Sequence, residues 1–154
     1  MIVGVMADSH DNLPMIRRSV RFFNGKNVEL VLHAGDYIAP FVIRELKNLS
    51  SPLIGVFGNN DGEKKGLKEK ISVIGEIHSP PFQLERGGRR ILIVHNPLDL
   101  PKIKKDQYEL VVYGHTHQPE IRKKAGALFF NPGECGGWLS GRGTVGWVNL
   151  DKML

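Results

Sequence analysis

A chain of 154 residues with 41% hydrophobic and 24% charged residues has the size and make-up of one ordinary globular domain, spanning residues 1–154. At that length folding buries roughly 68–70% of the surface of the unfolded chain, enough for a core without staples. A lone cysteine, Cys135, excludes an intrachain disulfide scaffold and fits a reducing compartment.

Lys and Arg number 21 against 16 Asp and Glu, a formal charge of +5. That balance attracts anions in general. The basic residues are scattered, from Arg17, Arg18 and Arg21 through Lys64–Lys70 to Arg122–Lys124, with few aromatics between them. The stacking half of a single-strand nucleic-acid platform is therefore missing, and nucleic acid stays open as a partner. The first apolar segment follows Met1 directly, without a basic leader, and no run approaches membrane-spanning length. A cytoplasmic protein without membrane contact is the expectation.

The first half alternates strand and helix. Ile2–Ala7 is an apolar strand, and Asn12 caps a helix whose Leu13, Ile16, Val20 and Phe23 recur at helical spacing. Glu29–His33 is the second strand, Pro40 opens a helix carrying Phe41, Val42, Leu46 and Leu49, and Leu53–Phe57 is the third strand. Such an order predicts parallel strands joined by right-handed crossovers. The Lys-rich stretch Glu63–Lys70 reads as a solvated helix or loop.

The second half changes character. A strand from about Ile77 to Glu85 turns at Gly87-Gly88 into Arg90–His95, a hairpin signal. A short helix over about Leu98–Lys105 precedes the strand Leu110–Tyr113, and short strands near Ile121–Lys123, Ala127–Phe130 and Thr144–Asn149 complete the chain. Two packed sheets with helices outside them, a mixed α/β fold, accommodate this order.

Four short motifs fall where these strands end: DSH at Asp8–His10, GD at Gly35-Asp36, GNND at Gly58–Asp61 and GHTH at Gly114–His117. Asp8 and His10 are two apart, as are His115 and His117, so each pair projects to one side of extended chain. His95 closes a further strand. Ligand sites of open α/β sheets lie beyond the carboxyl ends of their strands. Each motif alone has an ordinary explanation in turn chemistry. Together, Asp8, His10, Asp36, Asn59, His95, His115 and His117 form an oxygen and imidazole set suited to Mn, Fe, Co, Ni or Zn. His33, inside a strand, reads as a core histidine, His78 as an ordinary loop or strand residue, and Cys135 as structural. Glu134 has no explanation from sequence.

The series DSH, GD, GNND, a strand-closing His and GHTH resembles the calcineurin-like metallophosphoesterase superfamily, and within it the small archaeal and bacterial phosphodiesterases of the YfcE and MJ0936 type. The resemblance implies a four-layer αββα sandwich of two mixed sheets flanked by helices. It implies two divalent metal ions, with Mn favoured and Ni, Co, Zn, Fe or Mg as alternatives. One ion would be held by Asp8, His10, Asp36 and His117, and the other by Asp36, Asn59, His95 and His115, with Asp36 bridging. A hydroxide between the ions would attack a small phosphoester, most simply a diester. Monoesterase or nuclease activity on the same site is the alternative, as is an interaction scaffold like the retromer subunit Vps29. The resemblance is also compatible with a dimer or larger homo-oligomer.

Catalytic roles then fall to Asp36, His115 and Asn60. Many superfamily members have His where this chain has Asn60, and Asn is not a general acid near neutral pH. That substitution favours diesters or leaving groups that depart without a proton. Asp61, which would orient such a His, is left with a local structural role. Asn96 follows His95 where the family often has Gly.

Overall fold

The computed structural model describes residues 1–153. Strand β1 (Ile2–Met6) leads to helix α1 (Leu13–Gly25), β2 (Leu30–His33), a 3-10 turn (Pro40–Val42) running into α2 (Ile43–Leu46), β3 (Leu53–Val56), α3 (Lys64–Ile71) and β4 (Gly75–His78). These strands are parallel and ordered β1-β2-β3-β4, with β10 (Gly146–Asn149) antiparallel on the outer side of β1. The second sheet has the order β5-β6-β7-β9-β8, from strands Phe82–Arg86, Arg89–Ile93, Leu110–Val112, Ala127–Pro132 and Pro119–Lys124. Within it β6, β7 and β9 run parallel, while β5 and β8 are antiparallel edges.

The sheets pack face to face. Val3, Val5, Leu30, Leu32 and Val56 meet Ile91, Ile93, Leu110, Val112 and Phe130 in a dry layer, the interdigitated interior expected of stacked sheets. The other face of the first sheet is covered by the helices through Ile16, Val20, Phe23, Leu46, Leu67 and Ile71. Alternation along β1 thus serves two cores, which explains its unbroken apolar run. Asn12 caps α1, its side-chain oxygen accepting from Met15 N at 3.3 Å.

Two expected elements differ. The strand anticipated over Ile77–Glu85 is two strands in different sheets, β4 and β5, separated at Ser79-Pro80-Pro81. Consecutive prolines supply no backbone donors, so neither sheet ladder continues through them. The helix expected over Leu98–Lys105 is only a 3-10 turn, Pro97–Asp99, followed by irregular chain. Pro101 drives Leu100 to extended geometry (φ −60°, ψ 124°) and stops helix growth there. Leu100 and Ile103 still pack on the outer face of the second sheet, against Leu92, Tyr108, Val111 and Phe129. The stretch Lys64–Ile71 is helical, with Leu67 and Ile71 buried and the lysines outside.

No helix among the described residues is long and apolar enough to cross a membrane. Gly4, at the centre of β1, lies under α1 so closely that a Cβ there would stand 2.7 Å from a ring carbon of Phe23. Gly4→Ala is expected to destabilise the fold by about 1–3 kcal/mol through overpacking, and Phe23→Leu in the same chain to restore much of that loss. Thermal melts of the single and double variants check it.

Candidate metal centre

The parallel strands of the two sheets end at the same edge of the sandwich, and the chain turns there in an unusual way. Asp8, His10, Asp36, His115 and His117 all have positive φ, between 41° and 68°. For residues other than Gly this left-handed conformation is uncommon and clusters at functional sites. It curls each strand end back so that its side chain faces the gap between the sheets. Close approach requires small neighbours as well: a Cβ on Gly58 would overlap Asp36 Oδ1, and one on Gly114 would meet Asp8 Oδ2 at 2.7 Å.

The seven expected ligands converge. Asp36 Oδ2 lies 3.4 Å from His10 Nε2 and 3.5 Å from His95 Nε2. On one side of it, Asp8 Oδ1 is 3.9 Å from His10 Nε2 and 3.7 Å from His117 Nε2. On the other, Asn59 Oδ1 stands 2.8 Å from His95 Nε2 and 3.0 Å from His115 Nδ1, and the two ring nitrogens are 3.2 Å apart. Asp8, His10 and His117 form one tight group of potential ligand atoms, and Asp8, Asp36 and His95 form another. Asp8 thus borders both groups, while Asn59 and His115 complete the second side.

These atoms point acceptors at one another. His95 Nδ1 is 2.8 Å from the Ala34 carbonyl, which only accepts, so Nδ1 carries the proton and Nε2 turns its lone pair inward. His117 Nδ1 is likewise 2.8 Å from Glu134 Oε2, leaving Nε2 free. Asp8 Oδ1 and His10 Nε2 are buried without a hydrogen-bond partner. Buried polar atoms almost always have partners, and a carboxylate is costly to bury unpaired. A divalent cation among them would satisfy these atoms, so the residues present fit a bound metal. The Asp8 carboxylate beside His10 holds that imidazole above its ordinary pKa range, against the opposing effect of burial.

The supporting contacts are equally specific. Asp8 Oδ2 accepts from His115 N at 3.0 Å, tying the first sheet to the second. Asn60 donates to both oxygens of Asp36, from its backbone N to Oδ1 at 2.9 Å and from Nδ2 to Oδ2 at 2.7 Å. Asp61 is buried and accepts from the backbone N–H groups of Asp36, Ile38 and Gly58, which is the local structural role expected of it. His33 is the core histidine anticipated. Its Nδ1 accepts from Gly35 N, its Nε2 meets Ser9 Oγ at 3.0 Å, and burial pushes its pKa well down. Cys135 is buried beside Ser19 Oγ, its thiol pushed up to about 11 by burial, an inert structural group.

Glu134 is the residue that sequence reasoning left unexplained. Burial works to raise its carboxyl, but hydrogen bonds from Ser140 and from His117 outweigh it and bring the pKa to about 2. Its Oε1 accepts from Leu139 N at 3.0 Å and from Ser140 N at 2.5 Å. Glu134 is thus the carboxylate that fixes the tautomer of His117, one of the expected ligands. The available signal was an acid placed directly after the NPG turn and before a glycine-rich run.

A cleft of about 440 Å³ opens beside His95 and His115, lined by Phe57, Lys64, Asn96 and Asp99 among others. The family described as the calcineurin-like phosphoesterase superfamily domain matches residues 1–153. The chain belongs to that family. Phosphodiesterase MJ0936 of Methanocaldococcus jannaschii is 40% identical over 158 residues, covering 99% of this chain and 95% of that protein. The solved structure of an archaeal phosphodiesterase superposes with a TM-score of 0.92 at 38% identity, over 100% of this chain and 96% of the other. Phosphodiesterase YfcE of Escherichia coli shares the fold, with a TM-score of 0.75 at 23% identity over 98% and 90% of the two chains. The chain is therefore a member of a metallophosphoesterase family, built on two mixed sheets with helices against the outer face of the first.

Glu134→Gln keeps the shape but loses the charge behind His117. Metal affinity is expected to fall about 10–100-fold, read by competition against a fluorescent chelator, with Asp8→Asn as the stronger reference variant.

Proposed function

We propose that the protein is a divalent-metal-dependent phosphodiesterase that hydrolyses small phosphoesters at a dinuclear centre. The observation that carries this reading is the position of Asp36 Oδ2, between His10 Nε2 at 3.4 Å and His95 Nε2 at 3.5 Å. In this reading that carboxylate oxygen is shared between the two ions, which its nearness to both imidazoles supports. Asp8, His10, Asp36 and His117 would hold one ion, and Asp36, Asn59, His95 and His115 the other. A mixed oxygen and nitrogen set of this kind suits Mn, with Ni, Co, Zn, Fe and Mg as competitors. Bound there, the ions supply a nucleophile derived from water near neutral pH and neutralise charge on the phosphoryl oxygens.

The chain's own residues orient and position. Asn60 fixes Asp36 through both carboxylate oxygens, and the His115 backbone fixes Asp8. His115 itself stands at the mouth of the cleft, where it can donate to a phosphoryl oxygen or hold the second ion. Asn60 gives up no proton near neutral pH, so the leaving oxygen departs as the anion or takes its proton from solvent. Net hydrolysis adds water across one P–O ester bond, giving an alcohol and a phosphomonoester. This favours diesters with good leaving groups, and likeness to the phosphodiesterases MJ0936 and YfcE supports the choice of diesters.

The test is chelation followed by add-back of Mn, Ni, Co, Zn and Mg in turn, with diester, monoester and nucleic-acid substrates. Restored diesterase activity with bis(p-nitrophenyl) phosphate, lost in Asp36→Asn, is the expected result. A metal-replete protein inert on every substrate would instead favour the interaction scaffold. For Asn60→His, the expected outcome is a shallower dependence of kcat on leaving-group pKa across aryl diesters; an unchanged slope removes Asn60 from leaving-group chemistry.

A further inference from the structure

The glycine-rich segment that follows Glu134 carries a large aromatic side chain, Trp138, which is 65% exposed. An indole left in solvent is ordinary at the tip of a loose loop. This one is held. Its Nε1 donates to the His10 carbonyl at 3.0 Å, and the N–H groups of the next two residues, Leu139 and Ser140, both donate to Glu134 Oε1. Glu134 Oε2 in turn holds His117. The segment is therefore anchored on the backbone of one expected ligand and, through a buried carboxylate, on the side chain of another. Gly136 lets it approach so closely, since a Cβ there would stand 2.9 Å from the Ser9 carbonyl.

Beside the indole lies a cleft of about 550 Å³, to which Arg18 from α1, Arg142, Asn12 and Thr144 also contribute. This volume lies within the range of small-molecule sites. It is separate from the cleft by His95 and His115, and its Trp138 joins it to the backbone of His10. Its chemistry is specific: an aromatic platform, two guanidiniums and small polar groups, with no acidic residue among those lining it. Exposed Trp stacks bases irrespective of their identity, and guanidiniums match phosphate oxygens in paired hydrogen bonds.

We propose that this cleft is a substrate subsite for a nucleoside phosphate arm, with the base on Trp138 and a second phosphate between Arg18 and Arg142. It rests on the diesterase reading above and extends it to the substrate class, a nucleotide diester bearing a further terminal phosphate. The hydrogen bond from the indole N–H to the His10 carbonyl sets Trp138 beside the centre, in reach of an arm extending from a phosphoryl group held there.

Binding and turnover test it separately. Trp138 and Trp147 are the two tryptophans, so Trp147→Phe leaves Trp138 as the sole indole reporter. Adenosine 3′,5′-bisphosphate should quench that fluorescence saturably in the metal-free protein, and Arg18→Ala with Arg142→Ala should weaken the binding about tenfold or more. Metal-loaded enzyme should cleave the dinucleotide pApA about tenfold faster, in kcat/KM, than ApA, and the double arginine variant should erase that ratio. Trp138→Ala should lower kcat/KM on both dinucleotides about tenfold further than on bis(p-nitrophenyl) phosphate, with Trp138→Phe restoring most of it. Absence of a saturable quench, a quench indifferent to the arginines, or a flat pApA to ApA ratio in an active enzyme overturns the subsite. Arginine-dependent quenching in a protein that cleaves no diester keeps the subsite and overturns the hydrolase reading instead.

Discussion

Asp8, Asp36 and Glu134 bury three carboxylates at one edge of the sandwich, among imidazoles whose free nitrogens turn inward. Such a collection of acceptors repels itself, and the surrounding architecture can be understood as what holds it together. Each carboxylate has at least one oxygen fixed by N–H groups: His115 N on Asp8, Asn60 on Asp36, Leu139 N and Ser140 N on Glu134. These bonds place the anions without neutralising them. The remaining deficit of positive charge is what a divalent cation meets, and it gives the phosphoesterase family membership its chemical meaning in this chain.

The backbone supplies the other half of the constraint. A strand that simply ran on past its last ladder bond would carry its side chains out of the gap. Positive φ at Asp8, His10, Asp36, His115 and His117 turns them back, at a cost that short polar or aromatic residues tolerate better than β-branched ones. The strain is supported by cross-connections between loops, such as Asp8 N to the Gly35 carbonyl and His10 N to the Asp36 carbonyl. His33 and Asp61 brace the same loops from beneath. No single loop builds this centre; each is shaped by the next.

Much of this was legible in the sequence because strand ends and motifs coincide. The alternation of the first half revealed the parallel strands, and the DSH, GD, GNND and GHTH motifs marked where they stop. What escaped has physical causes. The Ile77–Glu85 stretch has continuous strand-like composition, and the change of sheet inside it is a tertiary event signalled only by Pro80 and Pro81. The covering segment after Pro97 has apolar residues at helical spacing, but Pro101 forbids the helix they suggest. Glu134 belongs to no motif, because its partner His117 lies seventeen positions earlier and its other partners are backbone groups. Trp138 looks like a stray surface aromatic until its bond to His10 is seen.

The expected ligands are divided between layers: Asp8, His10, Asp36 and Asn59 end strands of the first sheet, while His95, His115 and His117 follow strands of the second. The apolar filling between the layers therefore acts as a ruler. Val5, Leu32, Ile93 and Val112, far from any solvent, fill the space between the sheets and so hold the two groups of expected ligands at their spacing.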